Sequence, residues 1–350
     1  MNAQNAPKVT KETKNSIRVE FERTSLRERL RIKYLSPSFL VSAVWWLFRF
    51  ILLVGLAYIV LLPFFSKIAG SFMSPEDFID VSVKYIPKYP TLHQYKAILT
   101  ENNYWLAFIN TLTLSLAAAF IQTFVCAFIG YGFAKFKFKG SGLLFLLVIL
   151  TMIIPHQTLR LSLFMKFRYF DIFGIFNLLG GGISDGLKIL PFTSLELTNS
   201  FWPIVLMSLS GLAYKNGLFI FMLRQFFRSS IPDELEESAY LDGCGTFMTF
   251  FRIIIPLSVP MMVTIFLFAF CWQWTDSFYT EVFFPSMNIT MMPDIVKVPK
   301  SIDTAFAAGD LYESAIKNTC GLTIIVPLIF IYLFGQRFLV QGIERSGIVG

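Results

Sequence analysis

Six long apolar runs separated by polar stretches dominate the chain, near 44–67, 108–133, 142–164, 202–226, 253–278 and 321–340. A helix needs about 20 apolar residues to cross a bilayer, and in lipid only a helix or a closed barrel satisfies its own backbone. The pattern predicts an all-α, polytopic membrane protein with six transmembrane helices. The first run opens with Trp45 and Trp46, suited to an interfacial belt, and Arg49 can snorkel back to the head groups. It lies too far from the start, and is too long, for a cleaved signal peptide.

Composition agrees. Of 350 residues, 55% are hydrophobic and only 15% charged, with a mean hydropathy of +0.61; soluble domains are about a quarter charged. The net charge of +7 comes largely from the tail before residue 38, where nine Lys and Arg oppose four Glu, so it does not point to nucleic acid. That tail either lies on anionic lipid or contacts a partner. Cys126, Cys244, Cys271 and Cys320 are scattered, without metal or redox spacing.

Lys and Arg in the short connections set the orientation. Lys135, Lys137 and Lys139 follow the second run. Arg224, Arg228 and Arg252 flank the fourth-to-fifth connection, and Arg337 and Arg345 close the chain. With six spans these all fall on one side, so both termini are expected in the cytoplasm of a cell-membrane protein. The loops near 69–107, 165–201 and 279–320 then face outward. The loop at 171–201 carries Gly180-Gly181-Gly182 and reads either as flexible or as a short re-entrant piece.

No catalytic machinery is legible. The chain holds no G-x-x-x-x-G-K-[ST] loop, no His-Glu-x-x-His and only two histidines, His93 and His156. It is not expected to hydrolyse ATP, to be an enzyme, or to bind a metal or cofactor of its own.

The most distinctive stretch is acidic. Asp233, Glu234, Glu236, Glu237 and Asp242 fall within ten residues that contain no Lys or Arg. Within it Glu237-Ser238-Ala239 is followed after three residues by Gly243, and after nine more by Ile253-Ile254-Ile255-Pro256. This resembles the EAA loop of permease subunits in ATP-binding-cassette importers, with Ser238 for the first Ala and Ile255 for Leu. Other segments are similar to the carbohydrate-importer branch: Pro90-Thr91-Leu92, Asn110-Thr111-Leu112, the turn from Gly130 to Gly140, Leu223-Arg224-Gln225-Phe226-Phe227, and Gln336-Arg337-Phe338 near the end. The resemblance covers roughly residues 60–350 and is to the smaller, six-span subunit of maltose-type importers.

That resemblance implies the type I importer fold with both termini inside. It divides the chain into a basic tail (1–38), a first span with its outer loop (39–105), a permease core (106–340) with the EAA loop at 228–256, and a C-terminal tail (341–350). The tail either reaches into the ATPase dimer or frays. The implied partners are a second related permease, two copies of an ATPase that carries ATP and Mg, and an extracellular or periplasmic sugar-binding protein. Glu237, Ser238, Ala239, Asp242, Gly243, Ile253 and Pro256 are the expected coupling residues. Pro232 suits a first helical turn, the acids favour its positive end, and Gly243 permits a sharp turn between two short helices.

Polar residues inside apolar runs are costly in lipid and are candidate pathway residues. Asn110 and Gln122 lie twelve residues apart, more or less on one face of the second run. His156 and Arg160 follow Pro155, where the family usually has a small and an apolar residue. Arg160 either snorkels or lines a watery cavity. Trp272, Gln273, Trp274 and Asp276 have the chemistry to stack on and hydrogen-bond a sugar, and are equally an interfacial belt. A different class, an ion-coupled secondary transporter acting alone, would show inverted repeats and midplane charges, and neither is evident.

Overall fold

The computed structural model describes residues 37–180, 189–286 and 288–345. The chain divides into two compact units, Met1–Ser66 and Lys67–Gly350. The expected basic tail (1–38) lies outside the described residues except for its last two positions, as do 181–188, 287 and the last five residues. Described residues form helices and no strand; one isolated antiparallel bridge joins Phe170 and Leu195.

The first unit is represented by most of α1 (Pro37–Gly70), whose apolar side chains, from Val44 through Phe65, are almost all exposed. The second unit begins with short helices α2 (Pro75–Ile79) and α3 (His93–Glu101), then the long α4 (Tyr104–Lys135). Next come α5 (Ser141–Ile153), a single 3-10 turn (His156–Leu159), α6 (Arg160–Arg168), α7 (Ile175–Leu179), α8 (Trp202–Leu209) and α9 (Asn216–Ser229). The chain continues through α10 (Asp233–Leu241), α11 (Thr246–Thr249), a π-turn (Phe250–Ile254), α12 (Ile255–Leu257), α13 (Val259–Trp274), α14 (Phe278–Phe283) and α15 (Gly309–Arg345).

Three of the six expected spans are continuous helices among the described residues: Val41–Gly70, Tyr104–Lys135 and Gly309–Val340. Two others are bent pairs. The third run breaks by 97° between Ile153 and His156, where Pro155 cannot donate to the ladder, and the fifth by 79° between Leu257 and Val259, between Pro256 and Pro260. The fourth run is interrupted at 210–215, where Gly211 and Lys215 adopt positive φ of 74° and 68°. Counting each bent pair once gives five spans by length and composition.

Helix α4 is the centre of the second unit and packs against α8, α9 and α13, while α13 also packs on α15. Its composition explains why. One stripe, including Ala107, Thr111, Ser115, Ala118, Ala119, Gln122, Cys126 and Gly130, is buried; Trp105, Ile109, Phe120 and Phe128 on the other side are exposed. Small and weakly polar residues face inward and large apolar ones face outward, as lipid requires when helices associate by close packing rather than by escape from water. At Gly130 an added Cβ would lie 3.0 Å from Leu223 Cβ and 3.1 Å from Arg224 N, so α4 and α9 meet almost backbone to backbone.

The loop after α14 is fastened to this core. Asn102 Nδ2 donates to the carbonyls of Ile295 (2.9 Å) and Lys297 (2.8 Å), and the Met292 N–H donates to Thr111 Oγ1 at 2.8 Å.

Candidate functional site

The acidic stretch folds as the residue types dictate. Pro232 precedes α10, and Asp233, Glu234 and Glu236 sit in its first turn at the positive end of the helix. The helix ends in a Schellman arrangement: the Gly243 N–H donates to Tyr240 O (3.0 Å) and the Cys244 N–H to Ala239 O (2.9 Å), with Gly243 at φ +82°. The short α11 follows, giving a helix–turn–helix. Glu237, Ser238, Asp242, Gly243 and Pro256 are exposed, Ile253 is half-buried and Ala239 is buried. Beside the acids, Leu241 (89% exposed), Phe247 and Phe251 present large apolar side chains to the surroundings.

One acid is internal. Glu236 is 7% exposed, and its Oε2 accepts from the Tyr131 hydroxyl at 3.1 Å, while Oε1 lies 3.3 Å from Lys135 Nζ. Lys135, the last residue of α4, also donates to Ile231 O (2.7 Å) and to Asp233 Oδ1. Hydrogen bonding to that ammonium holds the Asp233 carboxyl below the usual range. Arg224 donates from Nε to Phe133 O (3.4 Å) and covers the Phe145 ring at 3.9 Å. In the sequence Lys135 and Arg224 read as orientation signals and as parts of two segments that resemble the importer family; in the structure Lys135 fastens α10 to α4. A cleft of about 750 Å³ opens beside this junction, lined by Lys135, Lys137, Lys139, Arg228 and Glu237 among others.

The eight candidate pathway residues separate. His156, Trp272 and Asp276 line one cavity of about 270 Å³, together with Tyr214. The His156 and Tyr214 rings meet edge-on at 4.3 Å, and Trp272 stacks between Phe219 and Phe268. Asp276 Oδ2 accepts from the Tyr279 N–H at 2.8 Å, capping α14. Arg160 is half-exposed and pairs with Glu281 at 2.9 Å, beside a separate depression. The other four bond or pack within the protein. Trp274 is fully buried and its Nε1 donates to Ile324 O at 3.0 Å. Gln273 is buried, Asn110 donates to Thr290 O (3.1 Å), and Gln122 donates to Ser208 Oγ (3.2 Å), joining α4 to α8. Tyr214 and Lys215 were not anticipated. Their signal was present: Ser210, Gly211, Lys215, Asn216 and Gly217 interrupt a run that was read as one helix.

Helices of this length, three of them broken at or near proline or glycine, around half-buried polar side chains, define a multi-span membrane protein. The chain belongs to the family of binding-protein-dependent transport system inner membrane components, whose sequence profile matches residues 126–345. Among curated relatives, the arabinooligosaccharides transport system permease protein AraQ of Halalkalibacterium halodurans is 23% identical, over 84% of this chain and 93% of its own. The galactooligosaccharides transport system permease protein GanQ of Bacillus subtilis is 26% identical, over 87% and 95%. The probable ABC transporter permease protein YurM of the same species is 25% identical, over 87% and 88%. A chain from the crystal structure of a bacterial ABC transporter involved in import of the acidic polysaccharide alginate superposes with a TM-score of 0.60 at 19% identity, covering 86% of this chain and 98% of that one.

Proposed function

We propose that this chain is a permease subunit of an ATP-driven importer and forms half of the translocation pathway for an oligosaccharide. The relatives named for oligosaccharide transport support the cargo class. The chain spans the cell membrane six times, the fourth span being α8 and α9 taken together, with both termini in the cytoplasm. A second related permease completes the pathway, a binding protein delivers the sugar from outside, and two ATPase copies bind the cytoplasmic face and hydrolyse ATP.

The observation that carries this reading is the geometry of α10. Its exposed face offers Glu237, Asp242 and Leu241 to a partner, while its buried face is held to the end of α4 through Glu236, Lys135 and Tyr131. A helix gripped in this way moves as one body with the span that grips it. Closure of an ATPase around the exposed face is thereby passed to α4 as a rigid displacement. Glu237→Lys reverses a charge at the docking surface without touching the clamp, and is expected to abolish ATP-dependent uptake while membrane insertion stays normal. Undiminished uptake would overturn the coupling role.

A further inference from the structure

The interruption of the fourth span builds a cavity of about 330 Å³ lined by Thr151, His156, Gly211, Lys215, Gly217, Tyr279 and otherwise apolar side chains. Among the described residues no Asp or Glu lines it; Asp276 lines the adjoining cavity, which shares His156 and holds Tyr214 and Trp272. Lys215 stands just before α9, a helix of 14 residues whose far end leads into α10. At 1.5 Å per residue that places Lys215 about 21 Å from the cytoplasmic end of α9, well inside a hydrocarbon core about 30 Å thick.

A lysine at that depth is costly unless it is paired or used. Among the described residues no carboxylate lies within ion-pair distance of Lys215, and its ammonium makes no hydrogen bond to the protein. It is held instead against two aromatic faces, 4.6 Å from the Tyr214 ring centre and 5.4 Å from that of Trp272. Its backbone is left-handed at φ +68°, a conformation glycine adopts without penalty, yet the position carries a lysine. The opening turn of α9 adds to the positive character. The Asn216 N–H is bonded to Ala213 O, but the N–H groups of Gly217 and Leu218, two cavity-lining residues, find no acceptor among the described residues. The buried side-chain amide of Asn216, beside the cavity in sequence but not lining it, has no hydrogen-bond partner among the described residues.

From this conjunction we infer that the cavity is a subsite for an anionic group on the transported saccharide, a carboxylate or a phosphate, with Lys215 as its charged contact. Tyr214 and Trp272 orient the ammonium through their ring faces. The helix start supplies backbone donors, as broken membrane helices do at anionic substrates. The inference rests on the importer reading and narrows its cargo to acidic saccharides.

The test uses the permease–ATPase complex isolated from native membranes without its binding protein. The complex is incubated with a pool of neutral oligosaccharides, uronate oligosaccharides and hexose phosphates, and the retained ligand is identified by mass spectrometry. Wild type is expected to retain an anionic saccharide. Lys215→Met is expected to lower retention about tenfold or more, the loss of a charge-assisted contact, while Lys215→Arg retains most of it. Retention of a uronate rather than a phosphate, or the reverse, identifies the group. Retention of neutral sugars only, of nothing, or of equal amounts by Lys215→Met overturns the subsite. Whether an ATPase co-purifies at all tests the importer reading separately.

Discussion

The Tyr131 hydroxyl donates to Glu236 Oε2 at 3.1 Å, joining the last turn of a 32-residue membrane helix to the buried face of α10. Lys135, one turn further along α4, completes the clamp, and the side chains of Lys135 and Glu236 are only 6% and 9% exposed. Removing one member of a buried ion pair leaves the other charge without compensation, at about 3–5 kcal/mol, whereas replacing both costs far less. Lys135→Met is therefore expected to destabilise the α4–α10 junction and lower uptake. Lys135→Met with Glu236→Gln is expected to recover part of the loss. A double-mutant cycle on melting temperature and uptake checks this, and strictly additive effects would contradict the clamp.

Gly243 separates strain from charge. A Cβ built there meets none of the described residues within 4 Å, so its φ of +82° is the obstacle to substitution. Asn and Asp both tolerate the left-handed region better than other residues. Gly243→Asn is expected to keep substantial transport, Gly243→Asp to lose it because a further negative charge enters the docking surface, and Gly243→Val to lose it through strain. Uptake assays at matched membrane levels of the variants decide the matter; equal behaviour of Asn and Asp would remove the electrostatic part.

Close packing of α9 on α5 depends on Gly217. A Cβ there would fall within van der Waals overlap of Thr151 Oγ1 and 3.0 Å from Met152 Cγ. Gly217→Ala is expected to lower the melting temperature in detergent by several degrees, consistent with about 1–3 kcal/mol of overpacking. Gly132→Ala, whose new methyl meets none of the described residues within 4 Å, is expected to be silent.

The two neighbouring tryptophans are expected to fail differently. Trp274→Phe removes the hydrogen bond to the Ile324 carbonyl inside the core, and should reduce thermal stability by about 1–2 kcal/mol. Trp272→Ala removes a wall of the cavity shared with His156, and should weaken sugar uptake more than it lowers stability. Paired melting and uptake measurements on both variants check the division.

Apolar run length located the helices, because bilayer thickness fixes that length irrespective of packing. The runs near 44–67, 108–133 and 321–340 each lie within one continuous helix. The same signal is blind to direction, so the bends after Ile153 and Leu257 were invisible in it although Pro155, Pro256 and Pro260 were in plain sight. The acidic helix was legible from Pro232, its first-turn acids and Gly243, all local determinants. The burial of Glu236 was not, because it depends on Tyr131 and Lys135, about a hundred residues away in sequence. Among the polar candidates, His156, Trp272 and Asp276 converge on one cavity, whereas Asn110, Gln122 and Trp274 bond to neighbouring elements. Composition cannot separate these uses, since a polar side chain in lipid requires a partner whether that partner is protein or cargo.

The central claim is that α10 couples this chain to an ATPase. The most direct measurement is isolation of the chain from native membranes in mild detergent, with mass spectrometry of what accompanies it, for wild type and Glu237→Lys. The account predicts a second permease and two ATPase copies with the wild type, and loss of the ATPase from the Glu237→Lys complex while the second permease remains. Isolation of the chain alone, under conditions that preserve a control transporter, would contradict it.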